Sequence, residues 1–243
     1  MNILGLDTCF DACSVALVRA DEGCVASRFE PMATGHAERL IPMIGEVMAE
    51  AGLDFAALDR IAVTYGPGTF TGTRIALAAA RSLGLATGKP IVGATSLWVM
   101  AEGVAREFCD ENSGAAADDR PAHFPDILIA TDARRDEVYV QHFSRGAPLG
   151  DPAVLSPLQV AQRLPQGCTV IVAGSGAEAV AAAAGNRQSI DLRVIRPDLL
   201  PDARFLASLA LRLDSAPRPV SPLYLRPADA KPQAGKSIPR AIT

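Results

Sequence analysis

The two halves of the chain repeat one order of strands and turns, and this repeat constrains the fold more than any other feature. Residues 3–18 hold two apolar runs separated by a turn that begins at Asp7. Residues 127–143 show the same order, with Asp132 at the start of the turn. Each pattern predicts a β-hairpin that carries an aspartate at its turn.

An apolar strand, a glycine-rich turn and a helix follow each hairpin. The first set spans residues 61–87 with Gly66-Pro67-Gly68 at its turn, and the second spans residues 170–184 with Gly174-Ser175-Gly176. The two halves of the chain therefore repeat one plan, and we take them as two lobes.

The composition between and after the lobes predicts where they end. Residues 110–126 are acidic, small and proline-containing, so we expect a flexible connector. Residues 227–243 are basic and contain prolines, so we expect a mobile, solvated tail. The predicted lobes are then residues 1–109 and 127–226.

The charge balance and the cysteines limit the function classes. There are 23 basic and 27 acidic residues, a net charge of -4, which disfavours unaided binding to nucleic acid. The apolar stretches are too short for a membrane span. Five scattered cysteines without a CxxC pair argue against a disulfide framework and a zinc site. We expect a cytoplasmic protein with no membrane partner.

The glycine-rich segment at residues 65–74 is the most specific motif. Glycines and hydroxyl residues between a strand and a helix expose backbone N–H groups at the positive end of a helix dipole, which favours an anion. The segment lacks the lysine of a Walker loop and the spacing of a dinucleotide motif. A tight strand-to-helix turn explains the glycines equally well. The candidate anion-binding residues here are Gly66, Gly68, Thr69, Thr71 and Gly72.

Several segments together resemble the bacterial TsaB family over residues 3–226. The most specific are GPGTFTG at residues 66–72 and HAERLIPMI at residues 36–44. The others are ILGLDT at 3–8, ACSVAL at 12–17, TDAR at 131–134, EVY at 137–139 and PLYLR at 222–226.

The resemblance implies an ASKHA fold, which is the fold of actin, sugar kinases and Hsp70. It comprises two related α/β lobes, each with a mixed sheet flanked by helices, in agreement with the repeat. The resemblance also implies a role in making threonylcarbamoyladenosine beside the anticodon of tRNA. The chain would be a non-catalytic subunit that binds and activates a TsaD-like catalytic paralogue, with a TsaE-like ATPase as a further partner. We expect contact with tRNA through the complex alone, and homodimerisation of the isolated chain stays open.

Two sets of residues support a non-catalytic role. The related catalytic subunits bind a metal through two histidines four residues apart, whereas His36 is followed by Leu40, so we expect no metal. ATP-using relatives place Asp-x-Gly at each hairpin, whereas this chain has Asp7-Thr8-Cys9 and Asp132-Ala133-Arg134. Without the glycines we expect weak nucleotide binding at most and no required cofactor. Asp7, Thr8 and Asp132 complete the candidate phosphate site. The alternative function is an independent ASKHA enzyme that uses ATP or hydrolyses a substrate with a metal.

The helices of the first lobe are the predicted partner surface. Large and small apolar residues at helical spacing favour close helix packing, and a core role for the same residues stays open. The predicted interface residues are His36, Arg39, Leu40, Met43, Ile44, Val47, Ala76, Ala79 and Ala80.

Overall fold

The computed structural model describes residues 1–112, 124–165, 167, 169–185, 191–214 and 219–226, without the side chains of residues 110–112. Most of the predicted connector at 110–126 lies outside the described residues. The predicted tail at 227–243 lies wholly outside them.

A five-stranded mixed sheet forms the first half of the structure, in the order β3-β2-β1-β4-β5. β2 runs antiparallel to β1 and β3, whereas β4 and β5 run parallel to β1. β1 and β2 are apolar and almost wholly buried, so they hold the centre of the sheet. The strands are β1 (Asn2–Asp7), β2 (Ala12–Arg19), β3 (Gly23–Pro31), β4 (Arg60–Thr64) and β5 (Ile91–Ala94).

A second mixed sheet repeats this arrangement in the order β11-β10-β6-β7-β8, with β9 also paired to β7. Its strands are β6 (Asp126–Asp132), β7 (Val138–Ser144), β8 (Ala147–Pro148), β9 (Ala153–Leu155), β10 (Thr169–Ala173) and β11 (Asp191–Ile195). β7 is antiparallel to β6, while β10 and β11 are parallel to it. The strand directions match those of the first sheet one for one, so the predicted ASKHA fold is confirmed.

Helices cover both faces of both sheets. α1 (His36–Glu50) and α2 (Phe70–Thr87) pack on one face of the first sheet, and α6 (Ala203–Leu209) packs on the other. α3 (Ser96–Asn112) packs on the second sheet, opposite α4 (Pro157–Arg163) and α5 (Ala177–Ala184). A short 3-10 helix at Phe55–Ala57 precedes β4. Within the described ranges, no helix combines the length and apolarity needed to cross a membrane.

Two helix starts follow signals in the sequence, which predicts a capping box at residues 156–159 and a helix over residues 203–213 capped by Asp202. The Ser156 side chain accepts from Gln159 N and the Gln159 side chain accepts from Ser156 N, which completes the predicted capping box of α4. The Asp202 side chain accepts from Arg204 N at 2.8 Å and caps α6. α6 ends at Leu209, four residues before the expected end at residue 213, so this part of the prediction was wrong.

Candidate functional site

The β1–β2 turn and the glycine-rich segment pack directly against each other. Thr8 Oγ1 donates a hydrogen bond to Gly72 O at 2.6 Å and accepts one from Ala76 N at 3.1 Å. Thr69 N donates to Cys9 O at 2.7 Å. The Thr69 amide and the Thr8 hydroxyl, both candidates for binding a phosphate, therefore bond to the protein's own backbone.

Gly68 and Gly72 permit this contact. A Cβ at Gly72 would lie 2.0 Å from Thr8 O, and a Cβ at Gly68 would lie 2.3 Å from Cys9 O. Both distances are too short for any side chain. The close approach of this segment to the Thr8–Cys9 backbone, which neither interpretation of the motif predicted, explains these two glycines without a ligand. A role of the segment in nucleotide binding stays a prediction.

The other residues of the motif shape the start of α2. Thr69 Oγ1 accepts a hydrogen bond from Gly72 N at 3.1 Å and caps the helix. Gly66 has a φ of 108°, in the left-handed region, and its carbonyl accepts from Ser96 N at 2.9 Å. Thr71 lies exposed in the first turn of α2. These contacts fix the path of the chain from β4 into α2.

Asp7 is the most perturbed acid of this site. Its side chain is fully buried, and Oδ1 accepts hydrogen bonds from the Thr64 hydroxyl and from Cys9 N. Oδ2 is buried and has no hydrogen-bond partner among the described residues. Burial raises the pKa of Asp7 to about 7, although the two hydrogen bonds oppose this shift. An aspartate that is inaccessible to solvent is poorly placed to hold a hydrated magnesium ion.

Cys9 occupies the position of the glycine that ATP-using relatives carry at this turn. Its side chain is buried and its Sγ lies 3.2 Å from Thr64 Oγ1 and 3.8 Å from Thr73 Oγ1. Burial and the nearby Asp7 raise the pKa of the Cys9 thiol far above its usual range. The thiol is therefore protonated and inert.

The second hairpin differs from the first in its exposure. Asp132 is exposed, and its Oδ1 accepts from Arg134 N at 2.7 Å. Arg134, Arg135 and Asp136 have φ angles of 63°, 57° and 58°. Arg134 thus holds a left-handed conformation that glycine adopts with least strain, at the position where the relatives have glycine. Asp132 belongs to the second sheet and is not part of the buried cluster around Asp7.

The segment at residues 219–226 contacts residues next to both sheets, which the sequence alone does not show. Leu223 N donates to Tyr65 O at 2.8 Å in the first lobe. Arg226 donates to Arg134 O at 3.0 Å and pairs with Glu137 in the second lobe. The PLYLR motif carried a family signal, but no periodicity or spacing indicated these contacts.

An exposed aromatic and cationic cluster lies beside this segment. The Arg74 guanidinium lies 3.2 Å from the centre of the Phe70 ring and 4.9 Å from that of Tyr224. The two ring centres are 5.7 Å apart. These cation–π contacts tie the first turn of α2 to the segment at residues 219–226.

The apolar residues that were predicted to form the interface, on α1 and α2, lie in the core of the protein, so this prediction requires correction. Its side chains pack between α1, α2 and the first sheet. The buried residues are Leu40, Met43, Ile44, Val47, Ala76, Ala79 and Ala80, each at most 9 % exposed. The periodicity identified the buried face of each helix, which is also the face that packs on the sheet.

His36 and Arg39 also have partners within the chain. His36 is buried and its Nε2 lies 3.0 Å from Phe10 O, so the imidazole is hydrogen-bonded to the backbone. Arg39 is half-buried and forms ion pairs with Glu30 and Glu46, both at 2.6 Å. Arg39 remains reachable by a partner at the edge of α1.

The opposite faces of α1 and α2 are exposed, and sequence reasoning missed them. Ile41 on α1 is 59 % exposed and Leu85 on α2 is 89 % exposed. Gly45 lies between them in sequence, inside α1. A Cβ added at Gly45 would meet no heavy atom of the described residues within 4 Å, apart from the backbone of its own helix. The glycine inside α1 was the signal available in the sequence, because glycine weakens a helix unless something requires it.

The described residues offer no cluster of three or more histidine, cysteine or acidic side chains that could hold a metal ion. Leu40, four residues after His36, is buried and apolar. His142 lies on β7, with Nε2 3.1 Å from Asp126 Oδ2. The ligand set of the catalytic relatives is thus not assembled in the described part of the chain.

The comparisons with known proteins agree with one another on the family of this chain. The model of the TsaD family, described as tRNA N6-adenosine threonylcarbamoyltransferase, matches residues 30–166. The tRNA threonylcarbamoyladenosine biosynthesis protein TsaB of Escherichia coli K12 is 34% identical over 171 residues, which cover 68% of this chain and 67% of that protein. Its counterpart in Haemophilus influenzae is 31% identical over 145 residues, which cover 60% and 55%.

A solved structure agrees with these relatives. YeaZ from Pseudomonas aeruginosa superposes with a TM-score of 0.72 at 31% identity and covers 92% of this chain and 99% of that one. The similarity therefore extends over both halves of the structure.

Proposed function

Because the chain belongs to the TsaB family, we propose that it takes part in the biosynthesis of threonylcarbamoyladenosine in tRNA, as a subunit that binds and activates a TsaD-like catalytic partner. The relatives named for this pathway support the first part of the proposal. The burial of the residues that would carry catalysis supports the second part.

The single observation that carries the non-catalytic role is the packing of the glycine-rich segment onto the Thr8–Cys9 turn. A Cβ-to-oxygen distance of 2.0 Å at Gly72 leaves no room for a phosphate oxygen between the Gly72 backbone and the Thr8 carbonyl. The buried Asp7 and the buried Cys9 agree with this assignment. An independent ATP-using enzyme would need Asp7 to reach a solvated nucleotide, and its burial argues against that alternative.

The exposed faces of α1 and α2 are the surface that we propose for the TsaD-like partner. Association would remove the apolar surfaces of Ile41 and Leu85 from water. Burial of this kind stabilises association by roughly 1.5–3 kcal/mol for a side chain that becomes fully buried. Gly45 fits such a contact because its missing side chain lets a partner helix approach closely. This surface replaces the buried residues that periodicity had indicated.

The remaining partners follow from the same proposal. A TsaE-like ATPase and tRNA would join the complex after the TsaD-like subunit, and tRNA would be bound by the complex. The isolated chain would pair with a second copy through the same exposed faces, because two identical apolar surfaces are self-complementary in a two-fold dimer.

Sedimentation and a modification assay test the proposal together. The purified chain alone should not modify tRNA, whereas the chain with its TsaD-like and TsaE-like partners and threonylcarbamoyl-adenylate should. Leu85→Glu should weaken association with the TsaD-like partner by tenfold or more and reduce modification in parallel. Leu158→Glu is the matched control, because Leu158 is 54 % exposed on α4, away from the proposed surface.

Two results would contradict the proposal. Modification of tRNA by the chain without its TsaD-like partner would show that the chain is itself the catalyst. Equal loss of association in the Leu85 and Leu158 variants would show that the exposed face of α2 is not the specific surface.

A further inference from the structure

A cavity of about 220 Å³ opens in the second lobe, on the side of the sheet that α4 covers. It is separate from the Asp7 turn and from the exposed faces of α1 and α2. Its apolar walls come from both the sheet and α4. They are Leu128, Val140, Leu155, Val160 and Leu164.

The β8–β9 loop forms one wall and is held in place by hydrogen bonds. Leu149 N donates to His142 O at 2.9 Å, and the Gln141 side chain donates to Gly150 O at 3.0 Å. Ala153, at the end of the loop, pairs with Val140 in the sheet. The cavity is therefore bounded by fixed backbone, as in pockets that exist before a ligand binds.

Two side chains of opposite charge line the cavity. Asp151 comes from the β8–β9 loop and Arg163 from the last turn of α4. Both are exposed, and neither forms an ion pair with another described residue. A ligand would thus meet one unpaired anion and one unpaired cation at the same opening.

A third polar group lies on the floor. His142 Nε2 is buried, and although it lies 3.1 Å from Asp126 Oδ2, the two atoms are not aligned for a hydrogen bond. The charged neighbour of this ring nitrogen is the Asp126 carboxylate, so the recognition of a ligand rests on Asp151 and Arg163.

We propose that this cavity binds a small aliphatic α-amino acid. The carboxylate of the ligand accepts hydrogen bonds from Arg163, and its ammonium group donates to Asp151. Its apolar side chain contacts Val140 and Val160. The cavity is smaller than the roughly 300–1,000 Å³ of pockets for drug-sized ligands, which favours a ligand of this size.

The pairing of charges selects an amino acid over simpler ligands. A carboxylic acid alone would place its charge beside Asp151 without neutralising that residue. An amine alone would leave Arg163 unpaired. A ligand with both charges pairs with each of the two side chains, whereas a ligand with a single charge pairs with one of them.

Methyl NMR titration of the full chain with three isosteric probes tests the proposal. L-leucine carries both charges, 4-methylpentanoate carries the carboxylate and 3-methylbutylamine carries the ammonium. We expect L-leucine to shift the methyl signals of Val140 and Val160, but not of Leu85, with a dissociation constant on the order of 1 mM. Each single-charge probe should bind about tenfold more weakly or worse.

Variants separate a specific site from weak surface binding. Arg163→Gln should weaken L-leucine binding at least about tenfold, whereas Arg193→Gln, on the exposed edge strand β11, should not. Val160→Phe should fill the cavity and abolish binding, and an unchanged spectrum of the first lobe would show that this variant is folded.

Two outcomes would overturn the proposal. One is the absence of a saturable shift with L-leucine at the cavity methyl groups. The other is binding of either single-charge probe as tightly as L-leucine, or equal binding by the Arg163→Gln variant. The proposed role in tRNA modification plays no part in this test, so either proposal can fail without the other.

Discussion

Thr8 and Gly72 are joined by a 2.6 Å hydrogen bond from the Thr8 hydroxyl to the Gly72 carbonyl, although 64 residues separate them in the chain. The backbone of Gly72 also lies close to the Thr8 carbonyl oxygen, since a Cβ added at Gly72 would lie 2.0 Å from that oxygen. This pair locks the first hairpin onto the start of α2.

The first prediction follows from this pair. Gly72→Ala would force the new Cβ against the Thr8 carbonyl oxygen. Both groups belong to or are fixed on the backbone, so neither can move aside as the end of a flexible side chain would. We expect the free energy of unfolding to fall by about 3 kcal/mol or more, at the upper end of the cost of overpacking. Urea denaturation monitored by circular dichroism measures this change.

Gly45→Ala is the matched control, because a Cβ there meets open space. It should leave the protein as stable as the original or more stable by up to about 1 kcal/mol, which is the usual gain for alanine over glycine in a helix. Equal stabilities of the two variants would contradict the steric role of Gly72.

The second prediction concerns the pH dependence that Asp7 imposes. Its pKa is about 7 in the folded protein, whereas an unfolded chain has an aspartate pKa near 3.9. The folded protein therefore binds more protons between these values, and its stability falls as the pH rises from about 4 to about 7. The full effect of this one group is on the order of 4 kcal/mol, because each pKa unit corresponds to about 1.36 kcal/mol.

Asp7→Asn should remove this part of the slope. Its stability relative to the original protein should be higher at pH 8 than at pH 5, as measured by urea denaturation at both values. Asp132→Asn alters the equivalent residue of the second hairpin, which is exposed, and serves as the control. An Asp7→Asn variant with the pH profile of the original protein would show that the carboxyl does not titrate in this range.

The fold was largely predictable from the sequence because each part of the repeat has a local pattern of apolar, polar and turn-forming residues. Each hairpin shows an apolar run, an aspartate and a returning run, and the starts of α4 and α6 show the capping residues Ser156 and Asp202. The end of α6 was not predictable in the same way. The apolar residues beyond Leu209 pack on the first sheet without continuing the helix.

The site was harder to predict because periodicity does not distinguish a core from an interface. Ile44 and Ile41 are three residues apart on α1, yet Ile44 is 2 % exposed and Ile41 is 59 % exposed. The apolar stripe on α1 marks the face that packs in the core. Ile41 lies off this stripe, so a partner can reach it. The link from Arg226 to Glu137 depends on the closed tertiary structure and has no local signal.

The third prediction uses this pair of isoleucines. Ile44→Glu places a carboxylate in the core with no counter-ion, so we expect a loss of about 4 kcal/mol or more in stability and an early thermal transition. Ile41→Glu should fold and melt as the original protein does, but should associate more weakly with the TsaD-like partner. Circular dichroism melts and sedimentation velocity on both variants provide the comparison. A stable Ile44→Glu variant would show that the residue is not in the core.

The last prediction separates folding from association at Gly45. Glycine inside a helix costs about 1 kcal/mol relative to a good helix former, and here open space surrounds the missing side chain. Gly45→Leu should therefore raise the melting temperature of the isolated chain at protein concentrations where it is monomeric. The same leucine would hold a partner helix away from α1, so association with the TsaD-like subunit should weaken by at least about tenfold, or 1.4 kcal/mol. Ala182→Leu adds the same side chain to an exposed position of α5 and should leave association unchanged. If Gly45→Leu associates as tightly as the original protein, the exposed face of α1 does not form the close helix contact proposed for it.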